Sequence, residues 1–227
     1  MTAVVDQAGW CERVAVPTNR LAVLPDTVGF AEAATLGVAG LTALRGLRVG
    51  GPLLGARVLV TGASGGVGHF AVQLAHVGGA HVTAVARTPE RAARLRSLGA
   101  DQVVLESEPL TSTFDLVMEG VSGPSLERSL HALNRDGVVV LYGRASDQPA
   151  RVALGDFNGR PASIQGFFVY ATGVETFGSD LAYMASLVAT GHLKAEVGLE
   201  VSWKDLARAV AALRDREVEG KVVLRID

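Results

Sequence analysis

The chain has 227 residues, of which 48% are hydrophobic and 19% charged, with a net charge of −2. That balance supports a sizeable core and excludes a disordered chain. The arginines are scattered rather than clustered, which argues against a nucleic-acid partner. Cys11 is the only cysteine, so an internal disulfide and a multi-cysteine zinc site are excluded, and a reducing compartment fits. The opening stretch MTAVVDQAGW lacks the basic and apolar regions of a signal peptide. The most apolar run, 33–44, is too short to span a bilayer. The expectation is a cytoplasmic protein without membrane or nucleic-acid partners.

In chain order, 12–16 reads as a strand ended by Pro17, and 21–25 as an extended connector. Thr27 is placed to cap a helix that begins near Gly29, and a second helix over 39–48 stops at Gly50-Gly51-Pro52. The run 57–61, RVLVT, is short, apolar and β-branched, of the kind a parallel sheet buries on both faces. Gly62, Gly65, Gly66 and Gly68 follow, then apolar residues at helical spacing, then a strand-like run over 81–86. Past it come a helix over 89–98, strands over 102–105 and 114–119, a helix over 124–133 and a strand over 137–142. A further strand over 163–170, a helix over 176–191, an extended run over 197–201, a helix over 203–214 and a strand over 221–226 complete the chain. Strand–helix alternation with buried strands predicts an α/β fold with a doubly wound parallel sheet.

The glycine turn carries the chemistry. In the dinucleotide fingerprint G-x-G-x-x-G, glycines permit a tight turn, close approach to a pyrophosphate, and close helix–strand packing. Here the register is Ala63-Ser64-Gly65-Gly66-Val67-Gly68, with Ala63 at the first glycine position. The helix N-terminus behind it offers free N–H groups to phosphate. NAD-binding folds place a carboxylate about 20 residues further on; this chain has Arg87-Thr88 there, with Arg91 four residues later. Arg87 suits a 2′-phosphate, which favours NADP(H) over NAD(H); the alternative is a pair of solvated surface arginines.

The same letters, Gly62-Ala63-Ser64-Gly65-Gly66, also spell the hydrolase elbow G-x-S-x-G, for which Asp115, Asp156, His131 and His192 are the available partners. That elbow normally follows several strands, and only one strand-like run precedes this turn.

The order of these pieces resembles a family. GWCERVAVP, LPDTVGFAEAATLGVAGLTALRGL, VLVTGASGGVGHFAVQLA, RLRSLGAD and EGKVVL are similar to the medium-chain dehydrogenase/reductase superfamily. Within it, the zinc-independent quinone oxidoreductases and related enoyl reductases are most alike. The resemblance implies a Rossmann domain and NADPH-dependent hydride transfer to a quinone or an α,β-unsaturated carbonyl. It implies that an alanine is tolerated at Ala63, that Gly40-Leu41-Thr42 lies near the nicotinamide, and that Gly143, Phe167 and Phe168 flank it. Lys221 falls in the family's closing G-K motif and is assigned either to the cofactor or to plain surface.

Zinc-bearing relatives carry a ligand cysteine where this chain has Leu36-Gly37-Val38. No metal is therefore expected, and Cys11 is read as a buried packing residue. The family also begins with a GroES-like substrate domain, most of which this chain lacks. The resemblance thus implies a remnant of that domain over 1–30 and 195–227, and a dinucleotide-binding domain over 31–194. The proton donor is unassigned, with Tyr142, Tyr170 and water as candidates. His69 is read as a helix-surface or cofactor-neighbouring residue. Glu119 is read as structural or on the adenosine side, without a catalytic role. A homodimer through the apolar strand 163–170 is expected, since an unpaired edge is an aggregation hazard. The competing function is a non-catalytic NADP(H)-binding or sensor module.

Overall fold

The structure, a computed structural model, describes residues 1–7, 9–157, 160–215 and 217–226. From the amino end, β1 (Thr2–Ala3) pairs antiparallel with β2 (Leu21–Ala22). Helix α1 (Phe30–Thr35) passes through a wider turn, Leu36–Gly40, into α2 (Leu41–Val49). Gly29 precedes α1, and its N–H donates to Glu32 Oε2 at 3.0 Å. The cap is therefore supplied from within the helix and not by Thr27. No strand forms over 12–16. Residues 12–15 are exposed, and the strand that pairs with β1 lies further on, at Leu21–Ala22. Cys11 is half-buried outside any strand, its thiol donating to the Arg13 carbonyl at 2.9 Å.

The runs expected to be buried strands do form a parallel sheet. They are β3 (Arg57–Val60), β4 (His81–Ala86), β5 (Gln102–Leu105), β6 (Phe114–Glu119), β7 (Leu133–Leu141) and β8 (Ala162–Gly166). Their order is β5-β4-β3-β6-β7-β8, and every pairing is parallel. The chain starts at β3, winds to one edge, then returns to the other side of β3. The switch point therefore lies between β3 and β6, where open α/β sheets bind ligands beyond the carboxyl ends of their strands.

Helices α3 (Gly68–Val77), α4 (Pro89–Ser97) and α5 (Pro124–His131) connect the strands. Each of α4 and α5 has a proline in its first turn, where the missing N–H costs nothing. Phe114 on β6 packs with Leu126 and Leu130 of α5 and with Leu59, Leu133 and Val139, all buried.

The remaining elements are α6 (Phe177–Ala189), β9 (Val197–Ser202), α7 (Leu206–Arg214) and β10 (Lys221–Arg225). β9 and β10 form a parallel two-stranded sheet. Contacts divide the chain into two compact units, 1–41 with 169–227, and 42–168. The six-stranded sheet belongs to the second unit, while 31–41 and 169–194 group with the termini. Within the first unit, a cavity of about 500 Å³ opens beside Trp10, Phe30, Val210 and Leu213. The expected strand over 163–170 ends at Gly166, and Val169–Ala171 forms a helical turn.

Truncating Phe114 to alanine should cost about 3–5 kcal/mol, because the ring is 1% exposed and its loss leaves a cavity. Urea denaturation of the variant against the wild type measures it.

Candidate functional site

The turn after β3 is built by two close approaches. Gly62 sits at φ +58°, a conformation glycine adopts without strain. Gly65 N–H donates to the Gly62 carbonyl at 2.9 Å, and His69 N–H to the Gly65 carbonyl at 3.1 Å. At Gly68 a Cβ would collide with the Gly62 carbonyl oxygen and lie 2.6 Å from the Ala63 Cα. Only glycine lets α3 start directly over the strand end, with Ala63 fully buried beneath it. The first turn of the helix then presents N–H groups that helix geometry leaves without intrahelical acceptors. Ser64, Gly66 and Val67 are half-buried and Gly65 is exposed on this turn.

Across the switch point, Glu119 ends β6 with a fully buried carboxylate. Its Oε1 accepts from Thr61 Oγ1 at 2.8 Å, Val121 N–H at 2.8 Å and Ser122 N–H at 3.0 Å. Ser125 Oγ lies 3.1 Å from both oxygens, and Ser129 Oγ donates to Oε2 at 2.9 Å. The Thr61 hydroxyl in turn accepts from Gly120 N–H at 3.0 Å. This network escaped the sequence reading, although a carboxylate at the end of an apolar strand, followed by serines at 125 and 129, is its signature.

Tyr142 follows β7, and its hydroxyl donates to the Thr61 carbonyl at 3.4 Å. Burial, and then the Glu119 carboxylate nearby, push that hydroxyl well above the usual phenol range. A Cβ at Gly120 would lie 2.6 Å from the Tyr142 hydroxyl, and one at Gly143 2.6 Å from the Gly120 carbonyl. The structure thus brings the glycine turn, Tyr142 and Gly143 to one end of the sheet.

Arg87 stands just past β4, its Nε 3.8 Å from Glu106 Oε2, with both side chains about half exposed. A carboxylate therefore does reach the end of β4, supplied by the neighbouring strand rather than by the chain after β4. Such an exposed pair contributes little to stability. Thr88 is the extended residue before α4, and its side chain bonds the Glu90 carboxyl. The Glu90 backbone N–H and then Thr88 hold that acid below its usual range. Arg91 is half-buried in the first turn of α4.

Phe167 extends the β8 ladder by one bond, N–H to the Leu141 carbonyl at 2.9 Å, and Phe168 is 67% exposed. Thr42 is buried on α2, as is Arg45 one turn later. Lys221 opens β10 in the other unit, and burial lowers its ammonium below the usual lysine range. In that unit too, Tyr170 has its hydroxyl raised by burial and then by Asp6, with Arg20 opposing. His69 is not on the helix surface: it is 1% exposed, with Nδ1 3.2 Å from the Gly65 carbonyl.

The hydrolase partners do not gather. Asp115 binds Arg57 N–H at 2.8 Å, at the amino ends of β3 and β6 and so opposite Ser64. His131 ends α5, 3.7 Å from Asp156, and His192 lies in the other unit. The described residues do not fit a zinc ion either, since no group of three or more His, Cys, Asp and Glu is assembled among them.

A Gly68→Ala substitution should destabilise the fold by about 1–3 kcal/mol through overpacking against immovable backbone. Gly65→Ala, whose Cβ meets the Gly62 carbonyl at 3.2 Å, should cost less. Thermal unfolding followed by circular dichroism compares the two.

The geometry has counterparts among known proteins. The family model described as zinc-binding dehydrogenase matches residues 66–188, more than half of the chain. The chain is 44% identical over 135 residues to the chloroplast envelope quinone oxidoreductase homolog of Arabidopsis thaliana, covering 56% of this chain and 39% of that protein. It is 30% identical to prostaglandin reductase-3 of Bos taurus over 219 residues, covering 85% of this chain and 58% of the relative. Among solved structures, a mycobacterial protein complexed with NADPH superposes with a TM-score of 0.82 at 27% identity. That match covers 92% of this chain and 69% of the mycobacterial chain. The chain thus spans about half the length of these curated relatives. Six parallel strands in this order, a glycine turn at their switch point and a family match from the end of that turn through the other five strands agree: the chain belongs to the zinc-binding dehydrogenase family, within the medium-chain dehydrogenase/reductase superfamily.

Proposed function

We propose that the chain is the nucleotide-binding part of an NADPH-dependent oxidoreductase that reduces a quinone or an α,β-unsaturated carbonyl. The observation that carries this reading is the Gly62–Gly68 turn, closed at Gly68 and seated at the sheet's switch point. The quinone oxidoreductase and prostaglandin reductase relatives and the NADPH-bound neighbour support the choice of cofactor and reaction class. When bound, NADPH supplies the hydride, and the protein supplies orientation and electrostatics.

In this reading the pyrophosphate lies on the N–H groups of Gly66, Val67 and Gly68, beside Ala63, Ser64 and Gly65. Arg87, with Thr88 and Arg91, faces the 2′-phosphate, for which a guanidinium is suited by its fork of donors. Thr42, Gly143, Phe167 and Phe168 are assigned to the nicotinamide side, and Lys221 is left as either a cofactor neighbour or a plain surface lysine. Tyr142 is retained as a candidate proton donor, beside Tyr170 and water, for its place at the ligand end of the sheet; burial raises its hydroxyl and makes it a weaker acid.

The segments 1–30 and 195–227 are read as the remnant of a GroES-like substrate domain, and 31–194 as the dinucleotide-binding domain. The paired short strands and apolar cavity of the terminal unit support that remnant. A cytoplasmic setting belongs to the same reading, supported by the single cysteine; no helix among the described residues is long and apolar enough to cross a membrane. A homodimer through β8 is proposed, because β8 pairs only with β7 and ends the sheet. The second reading is a non-catalytic NADP(H)-binding or sensor module, in which the same turn holds the nucleotide without turnover.

Titration of NADPH and NADH into the purified chain, followed by fluorescence, tests the reading. NADPH should bind more tightly than NADH, and Arg87→Ala should weaken NADPH by about 1.5–3 kcal/mol, as for a lost charged hydrogen bond. Binding of neither nucleotide defeats the proposal. NADPH binding without turnover on any quinone or enone acceptor favours the sensor.

The dimer is tested separately by sedimentation. Phe167 N–H points into the sheet, so by alternation Gly166 N–H points outward. Gly166→Pro, at a position where a Cβ meets nothing within 4 Å, should convert a dimer to a monomer.

A further inference from the structure

The least expected feature of the sheet is a carboxylate with no exposed surface, held by uncharged donors from three places in the chain. Burying an ionisable group is costly, and a well-packed apolar residue would fill the same space at lower cost. Its position suggests what it secures. Thr61 is the last residue before the Gly62–Gly68 turn, and Val121 and Ser122 form the loop that leaves β6. Ser125 and Ser129 belong to α5.

Resting on the nucleotide reading above, we propose that Glu119 is a positioning residue for that site. Its carboxylate fixes the spacing between the glycine turn and the loop 120–122 across the gap where a dinucleotide would lie.

The local geometry supports this division of labour. The Thr61 hydroxyl is used twice, donating to Glu119 Oε1 and accepting from Gly120 N–H. One side chain thereby bridges the two strand ends. Ser122 sits at φ +67°, a costly backbone for a non-glycine residue that persists only when its surroundings hold it. Its N–H bond to Glu119 Oε1 is such a hold. The outer side of the loop is tied independently, by Ala145 N–H to the Gly120 carbonyl at 3.2 Å and Ser146 N–H to the Val121 carbonyl at 2.9 Å. Loss of the Glu119–Thr61 link would therefore leave the loop attached to β7 but free to shift relative to the turn. Ser129, by contrast, ties the carboxylate only to the middle of α5, so its bond serves packing alone.

The test uses the full chain with four substitutions: Thr61→Val, Thr61→Ser, Glu119→Gln and Ser129→Ala. Thr61→Val keeps the shape and removes the hydroxyl. It should raise the NADPH dissociation constant about tenfold, the effect of leaving buried donors and acceptors unmet. It should also speed amide exchange at Val121, Ser122 and the glycine turn in nucleotide-free protein. Thr61→Ser should restore both readouts to near wild type, and Glu119→Gln should shift both in the direction of Thr61→Val by a smaller factor. Ser129→Ala should lower the melting temperature while leaving the dissociation constant and the exchange at the turn unchanged.

Wild-type affinity in both Thr61→Val and Glu119→Gln overturns the proposal. So does a Ser129→Ala variant that loosens the turn as much as Thr61→Val, since the network would then be structural only. If the wild type binds neither nucleotide, the functional reading fails and the assignment of Glu119 to a nucleotide site fails with it. The exchange data from nucleotide-free protein then still decide whether Glu119 couples turn and loop.

Discussion

The absence of a side chain at position 68 is the constraint on which the rest of this sheet depends. With the Gly62 carbonyl and the Ala63 backbone inside the space a Cβ would need, α3 can begin only one tight turn beyond β3. That short connection packs α3 directly on the sheet, and Gly68, His69, Phe70, Ala71, Val72, Gln73, Leu74 and Ala75 are all buried in consequence. The side chains over 68–75 leave no polar face, and exposure begins only at His76 and Val77; the polar feature at the near end is the backbone of the first turn. The helix dipole and the unsatisfied N–H groups coincide there. Packing and anion affinity thus follow from the same missing methyl group.

The polar counterpart lies one strand over. Glu119 carries a carboxyl group into the interior, and the surrounding donors offset its desolvation. Apart from Ser129, further along α5, its donors belong to elements that must be placed accurately: the end of β3, the loop after β6 and the start of α5. Tyr142 and Gly143 close the same corner from β7 through contacts that leave no room for a Cβ at Gly120 or Gly143. Strand ends are where hydrogen-bond ladders stop specifying position, so side-chain bonds take over the task there.

Much of this was legible in the sequence because it is local. RVLV, HVTAVA, QVVL and FDLVME are strands by their own composition, and the glycine spacing predicts the turn they feed. What the sequence reading missed depends on partners distant in the chain. The stretch 12–16 has strand-like composition, but the pairing with β1 goes to Leu21–Ala22. β7 begins at Leu133 rather than near Gly137 because Phe114 pairs with Leu133 across an irregular register. Glu106 meets Arg87 only because β5 lies beside β4. His69 was expected at the helix surface or beside the cofactor, yet it is buried with the rest of 68–75, a fact of packing that periodicity does not encode. The Glu119 network is of the same kind: its donors are spread from 61 to 129, and only the fold brings them to one carboxylate.

The two compact units differ in how far their parts satisfy one another. In 42–168 each interior strand has two neighbours, and every group around the switch point, from Thr61 to Gly143, comes from that unit. The unit formed by 1–41 and 169–227 has two two-stranded sheets and an apolar cavity bordered by Trp10 and Phe30, which are 69% and 78% exposed. Two-stranded sheets are marginal by themselves, whereas a six-stranded sheet with covered faces is not. The family match, at 66–188, falls mainly on the sheet-bearing unit. On the proposed reading, nucleotide binding and fold stability draw on the same residues, and substitutions at Gly68, Thr61 or Glu119 act on both at once.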